Sequence, residues 1–375
     1  MRFGAEIAWA RAGNETAARR FDRFSALRRH CRWAVSRPRE PTPPRLWTIG
    51  LIGKTMTTPS GPGRQAPGFA VGMTPLTLSP DAVLRLCSQP GFPDAMRASA
   101  AAAVNLYRGD RILNALLSDR ARALFPHIVL YLHYAGPREG ERGLTVGAMK
   151  DMCVRLDLCS PGRCEAMLAL MRAVGLVAAA PRQDRRRRPL VPTERLMALH
   201  RERWGGQFDA MSAVIPAAVA YRAALRDSSF VRTFVRELGQ RFIAGLRLLD
   251  GAPELEPFAE RTAGMVILFS LALAGAADRP FPPVDAVPLS INALAKQFSV
   301  SRKHVLTLLR EAEANGLLRR GGAAMDAITI LPRGREALAH MMATMFIYMA
   351  ECAEIALQAA GREGRGADAA ASLSA

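Results

Sequence analysis

The sequence predicts a mainly α-helical chain carrying small β-wings, and three observations carry that expectation. From Ser79 onward apolar residues recur every three or four positions over most of the chain, the period of an amphipathic helix. An order of helix, polar turn, helix and Gly-Leu stop occurs twice, at Gly175-Leu176 and Gly316-Leu317. Its period of about 140 residues marks duplicated domains and not a short solenoid. After each stop come a short hydrophobic run, a loop rich in Gly or Arg and a second hydrophobic run, the pattern of a hairpin.

Length and charge bound the rest. With 375 residues, 50% of them hydrophobic, the chain can bury a sizeable core in two or three domains. The net charge of +18 divides evenly, since residues 1–72 carry +9 and the remainder carries +9. Lys54, Lys150, Lys296 and Lys303 are the only lysines, so arginine dominates. A basic balance of this size is permissive for a polyanionic partner without being diagnostic of one. Six cysteines without a CxxC pair fit a reduced cytoplasmic protein better than a disulfide framework. The most apolar run, Gly264 to Ala277, is too short to span a bilayer and reads as a buried helix, so no membrane partner is expected.

In chain order, residues 1–75 form a basic extension expected to be disordered, because Arg clusters alternate with Pro and Gly (SRPREPTPPR, PSGPGRQAPG). An upstream-extended reading frame with its start at Met56 or Met73, a basic arm and an organellar transit peptide all remain open for it. Within it GLIGKT resembles the end of a phosphate-binding loop, but Thr48 stands where that loop needs Gly. A helical lead-in (76–119) begins at the capped segment SPDAVLRL and continues into RILNALLSDRARALF. The first repeat (120–205) opens with FPHIVLYLHYAG, and a helical connector (206–257) follows it. The second repeat (258–340) opens with AGMVILFSLALAG and leads into a C-terminal helix and disordered tail (341–375). Met341, Met345, Phe346, Tyr348 and Met349 recur at helical spacing there, the pattern of a core or interface face.

The second repeat is the more informative copy. Just ahead of SVSRKHVLTLLREAEANGLLRR, which runs from Ser299 to Arg320, a helix from Ser290 to Phe298 is expected to turn Ile291, Leu294 and Phe298 inward, and Ser301 to cap the next helix. On that next helix Val305, Leu308, Leu309 and Ala312 form the inward stripe. This leaves Arg302, Lys303, His304, Thr307 and Arg310 outward, where such side chains can reach phosphates or base edges in a major groove. Arg319 and Arg320 follow the stop, and LLRRGGAAMDAITILPRGREAL then reads as strand, turn, strand and helix. Over about 60 residues this module resembles the DNA-binding part of MarR-type winged helix-turn-helix regulators, most specifically in ITILPRGREAL, where a strand runs into Pro, a Gly-Arg pair and a helix. The resemblance implies double-stranded DNA as partner, flanking helices that dimerise or, here, a pseudo-dimer made in one chain, and a pocket for a small-molecule effector.

The first copy departs from that pattern. Its helix SPGRCEAMLALMRAVGL has Pro161 and Gly162 where the second has Arg302 and Lys303, and Glu165, Ala166 and Ala169 face outward. Of its outward cations Arg163 is the main one, so direct base readout is expected to be weak. Its hairpin tip carries Arg185, Arg186, Arg187 and Arg188, suited to a minor groove or flanking phosphates. A thiol sensor built on Cys153, Cys159 and Cys164 is a competing use of the same module, and a scaffold that binds protein through an exposed Leu306 is a competing use of the second. No catalytic constellation, metal cluster or cofactor motif is visible, so neither catalysis nor a cofactor is expected.

Overall fold

A computed structural model describes residues 77–107, 120–136, 143–180 and 189–373, all within one compact unit, Val71–Ala375. The basic extension, the GLIGKT segment, most of RILNALLSDRARALF and the Arg185–Arg188 run lie outside the described residues.

The described chain is mainly helical, and none of its helices is long and apolar enough to cross a membrane. α1 (Pro80–Cys87) starts on Ser79, whose hydroxyl accepts from the Ala82 N–H. α2 (Phe92–Tyr107) and α3 (Arg120–Ala135) follow. Next come α4 (Val146–Arg155), α5 (Pro161–Ala173), β1 (Val177–Ala179), β2 (Leu190–Pro192) and α6 (Glu194–Met211). α7 (Ala218–Ala224) and α8 (Ser228–Ile243) form the connector, and α9 (Glu256–Glu260) and α10 (Gly264–Leu273) lead off the second repeat. That repeat runs β3 (Val287–Pro288), α11 (Ile291–Gln297), α12 (Arg302–Ala314), β4 (Leu318–Gly321), β5 (Ala327–Ile330) and α13 (Pro332–Leu373).

The repetition extends to single hydrogen bonds. Thr145 and Ser160 cap α4 and α5 through Ala148 N and Arg163 N; Ser290 and Ser301 cap α11 and α12 through Ala293 N and His304 N. Between the paired helices Asp157 and Ser299 both adopt positive φ, 50° and 56°. At the far ends Gly175 and Gly316 sit at φ 72° and 68°. In each case the following Leu N–H closes onto a carbonyl five residues back, Met171 or Ala312. Glycine suits this stop because the left-handed conformation costs it nothing.

Both hairpins are antiparallel. β1 pairs with β2 from Val177↔Pro192 to Ala179↔Leu190, while the second sheet has the order β3-β5-β4, with Leu318 opposite Ile330. In the first repeat a single backbone bond, Leu190 N to Leu144 O at 2.9 Å, stands where β3 pairs with β5 in the second.

Packing follows the expected faces. Val305, Leu308, Leu309 and Ala312 of α12 are wholly buried, as is Phe298 nearly so, and each large apolar side chain removed from water there contributes about 1.5–3 kcal/mol. α13 lies along α8 and also touches α1 and α7, with Met342, Phe346, Ile347 and Cys352 inside. Its Glu351 pairs with Arg241 and accepts from the Leu78 N–H, tying the start of the described chain to this helix. Two expected boundaries fall inside continuous helices, the one at 205 within α6 and the one at 340 within α13. The end expected as a disordered tail is helical to Leu373, consistent with its alanine-rich sequence, since Ala has the highest helix propensity.

Candidate functional site

α12 is the element whose surface bears most on function. Its buried stripe fixes the opposite side outward, and Arg302, Lys303 and Arg310 are exposed there, with Leu306 and Thr307 half-buried between them. Arg319 on β4 is exposed as well. Among the described residues none of these four cations has an ion-pair partner. The acidic residues of α12 are engaged elsewhere: Glu311 pairs with Arg261, and Glu313 accepts from Arg320 through the backbone N–H (3.0 Å), Nε (2.9 Å) and Nη2 (2.6 Å). Those contacts, the backbone N–H first and the Arg320 side chain next, hold the Glu313 carboxyl below its usual range. Acidic charge on the helix is thereby neutralised from within, and the outer face keeps its cations.

Two expected site residues are committed to the fold. The His304 ring, expected outward, donates Nε2–H to the Thr262 carbonyl at 2.8 Å, because the turn between α9 and α10 packs on the first turn of α12. Arg320 is held by Glu313 and is only 14% exposed, so it braces the hairpin against α12. Ser301 serves as the cap, its hydroxyl accepting from His304 N at 3.1 Å. Leu306, expected as an exposed docking contact, is half-buried.

On the first repeat the outer face of α5 consists of Pro161, Gly162, Arg163, Glu165, Ala166, Ala169 and Arg172, with Lys150 pairing Glu165. Cys153 and Cys164 are solvent-free between α4 and α5, and their thiols hydrogen-bond to one another. That bond and then burial push the Cys153 thiol up, while the same bond lowers Cys164. They are core groups that happen to be thiols. Among the described residues no set of His, Cys, Asp or Glu is placed to hold a metal ion.

Sequence reasoning expected a pocket only from the resemblance and did not place it; the structure has a partly open cavity of about 590 Å³ bordered by α2, α3, α4, α6, α8, α13 and the segment from Phe258 to Phe269. Its wall is mostly aliphatic and aromatic, and Met341, Met345, Tyr348 and Met349 of α13 contribute to it. At one side lies a polar cluster. His127 and His200 meet edge to face with centroids 4.9 Å apart, and Trp204 lies 5.2 Å from His200. Each imidazole donates Nδ1–H to the carbonyl four residues earlier, Ala123 or Leu196, at 3.0 Å. Burial, with Arg203 adding to it, pushes His200 down to about 4, and His127 is also held well below 6.5. Ser99 Oγ donates to Gln207 Oε1 at 2.6 Å beside them. The available signal was spacing: His200, Arg203 and Gln207 recur at three and four along α6, on a side that also carries Trp204.

No protein-family model matches the chain, and no curated protein or solved structure matches it.

Proposed function

We propose that the chain is a sequence-specific DNA-binding transcriptional regulator containing two tandem winged helix-turn-helix units, similar to the MarR type, and responsive to a small molecule. The observation that carries this reading is the outer face of α12, where Arg302, Lys303 and Arg310 stay exposed without ion pairs among the described residues while Glu311 and Glu313 are neutralised by Arg261 and Arg320. Such a face combines phosphate anchoring with side chains able to reach base edges. Arg319, at the start of the hairpin, adds a further cation for the flanking backbone.

α5 offers a poorer reading face, so the two units would contribute unequally and the preferred site need not be a perfect palindrome. Arg163 and the Arg185–Arg188 run would give the first unit its grip.

Fluorescence anisotropy with duplex fragments from the source genome, including the region upstream of the chain's own gene, tests the proposal. Submicromolar binding to some fragments, weakening steeply with salt, is the expected result. Affinity no better than micromolar for every fragment at low salt overturns it.

A further inference from the structure

We infer that the cavity beside His127 and Trp204 is a binding site for an amphipathic organic acid, its carboxylate paired with Arg203 and its apolar body filling the cavity, and that occupancy acts on α12 through the turn from Phe258 to Gly264. The binding half stands on its own; the regulatory half rests on α12 being a DNA-reading helix.

The size and wall of the cavity suit a ligand of ordinary organic dimensions, since sites for such molecules span about 300–1,000 Å³ and are mostly apolar with a few placed polar groups. Methionines such as Met345 and Met349 add a wall that adapts to shape. What selects an acid is the contrast between two arginines that border the cavity. Arg247 is satisfied: its Nη1 donates to the Phe242 and Leu246 carbonyls at 2.6 and 2.9 Å, and its guanidinium lies 4.1 Å from the Phe242 ring centre. Arg203 is half-buried, and its Nη1, closed off from solvent, has no hydrogen-bond partner among the described residues. Arginine cannot shed its charge to escape this position, and a buried donor left unbonded is costly. Its neighbours do not offer a remedy, because His127 and His200 are held neutral by burial and Arg203 itself disfavours their protonation. Glu202 borders the cavity too, but it is exposed and forms no ion pair with Arg203. A carboxylate matches the planar fork of a guanidinium, and one cation beside an apolar wall suits a single negative charge better than a dianionic phosphate.

The link to α12 is short and runs through one turn. Phe258, Ala259 and Ala263 border the cavity, and between them Arg261 pairs with Glu311 while the Thr262 carbonyl accepts from His304. One turn therefore faces the cavity on one side and grips α12 on the other. It is tightly wound: Ala263 sits at φ 59°, and a Cβ on Gly264 would come within 2.0 Å of the Phe258 carbonyl oxygen. A ligand that contacts this turn differently in two arrangements shifts the balance between them by that difference.

Calorimetric titration of the full chain with dodecanoate and with dodecan-1-ol tests the site. Dodecanoate is expected to bind at least about tenfold more tightly than the alcohol, the worth of a hydrogen bond to a charged group. Arg203→Met should erase that preference while alcohol binding persists, and Arg203→Lys should retain most of it. Equal binding of the two probes, an acid preference that survives Arg203→Met, or no binding of either probe overturns the site. Dodecanoate should also slow amide exchange at residues 258–263 and 302–306; exchange unchanged at saturation overturns the link to α12. Finally, duplex affinity should change at least about fivefold with dodecanoate in the parent chain and not in Arg203→Met. If the acid binds and no duplex does, the DNA reading fails and the site stands, whereas duplex binding without acid binding removes the site alone.

Discussion

The His304 ring and the Thr262 carbonyl are joined by a 2.8 Å hydrogen bond across 42 residues of sequence. Because a carbonyl only accepts, the bond fixes the proton on Nε2. His304→Ala is expected to lower stability by about 1 kcal/mol, the net worth of such a bond. Amide exchange at residues 302–306 should quicken more than exchange in α13. Equal quickening in both would mean that the bond supports the whole fold and not the local grip.

Acid should unfold the protein in a step traceable to His200. Its imidazole is held near 4 in the fold against an ordinary 6.5, so the unfolded chain takes the proton first. The stabilising contribution is complete above pH 6.5, is lost as pH falls toward 4 and changes no further below that. The gap, at roughly 1.4 kcal/mol per pH unit, amounts to roughly 3 kcal/mol. Denaturant titrations at pH 7.5 and 4.5 should therefore differ much less for His200→Leu than for the parent chain.

Glu313 acts over a lower range. Its carboxyl is depressed below the ordinary 4.5 by the Arg320 backbone N–H and then by the Arg320 side chain. The stability it supplies is present above 4.5 and disappears as pH falls through the depressed value. Glu313→Gln is expected to cost about 0.5–1 kcal/mol at pH 7 and progressively less as pH falls below 4.5, read as the difference in thermal midpoint.

Replacing Arg302, Lys303 and Arg310 together by Ala should leave the thermal midpoint nearly unchanged, since all three are exposed and lack ion pairs among the described residues. Duplex binding should lose about 2 to 3 from its log–log salt slope if each cation neutralises one phosphate. An unaltered slope would place the contact surface elsewhere on the chain.

Much of the local structure was legible because it is written in short-range chemistry. Ser160, Ser301, Gly175 and Gly316 mark their helix ends by side-chain caps and left-handed stops, and the Val305, Leu308, Leu309 and Ala312 stripe marks the buried face. What was not legible depends on contacts between distant segments. His304 reads as outward until Thr262 is known to lie against it, and Arg320 reads as a free cation until Glu313 is seen to fold back onto it. The place and lining of the cavity were hidden for the same reason: His127 and Arg203 lie on separate helices, and neither segment alone shows that their apolar faces do not close completely.

Both repeated units belong to one polypeptide, within the compact unit Val71–Ala375. Dilution cannot part them, because they share one chain. A single chain also lifts a restraint that symmetry imposes. In a dimer of identical subunits every substitution appears twice, and a change that weakens one helix weakens its mate. Here α5 carries Pro161, Gly162, Ala166 and Ala169 on its outer face while α12 carries Arg302, Lys303 and Arg310 on its own. A substitution on one helix thus leaves the other untouched.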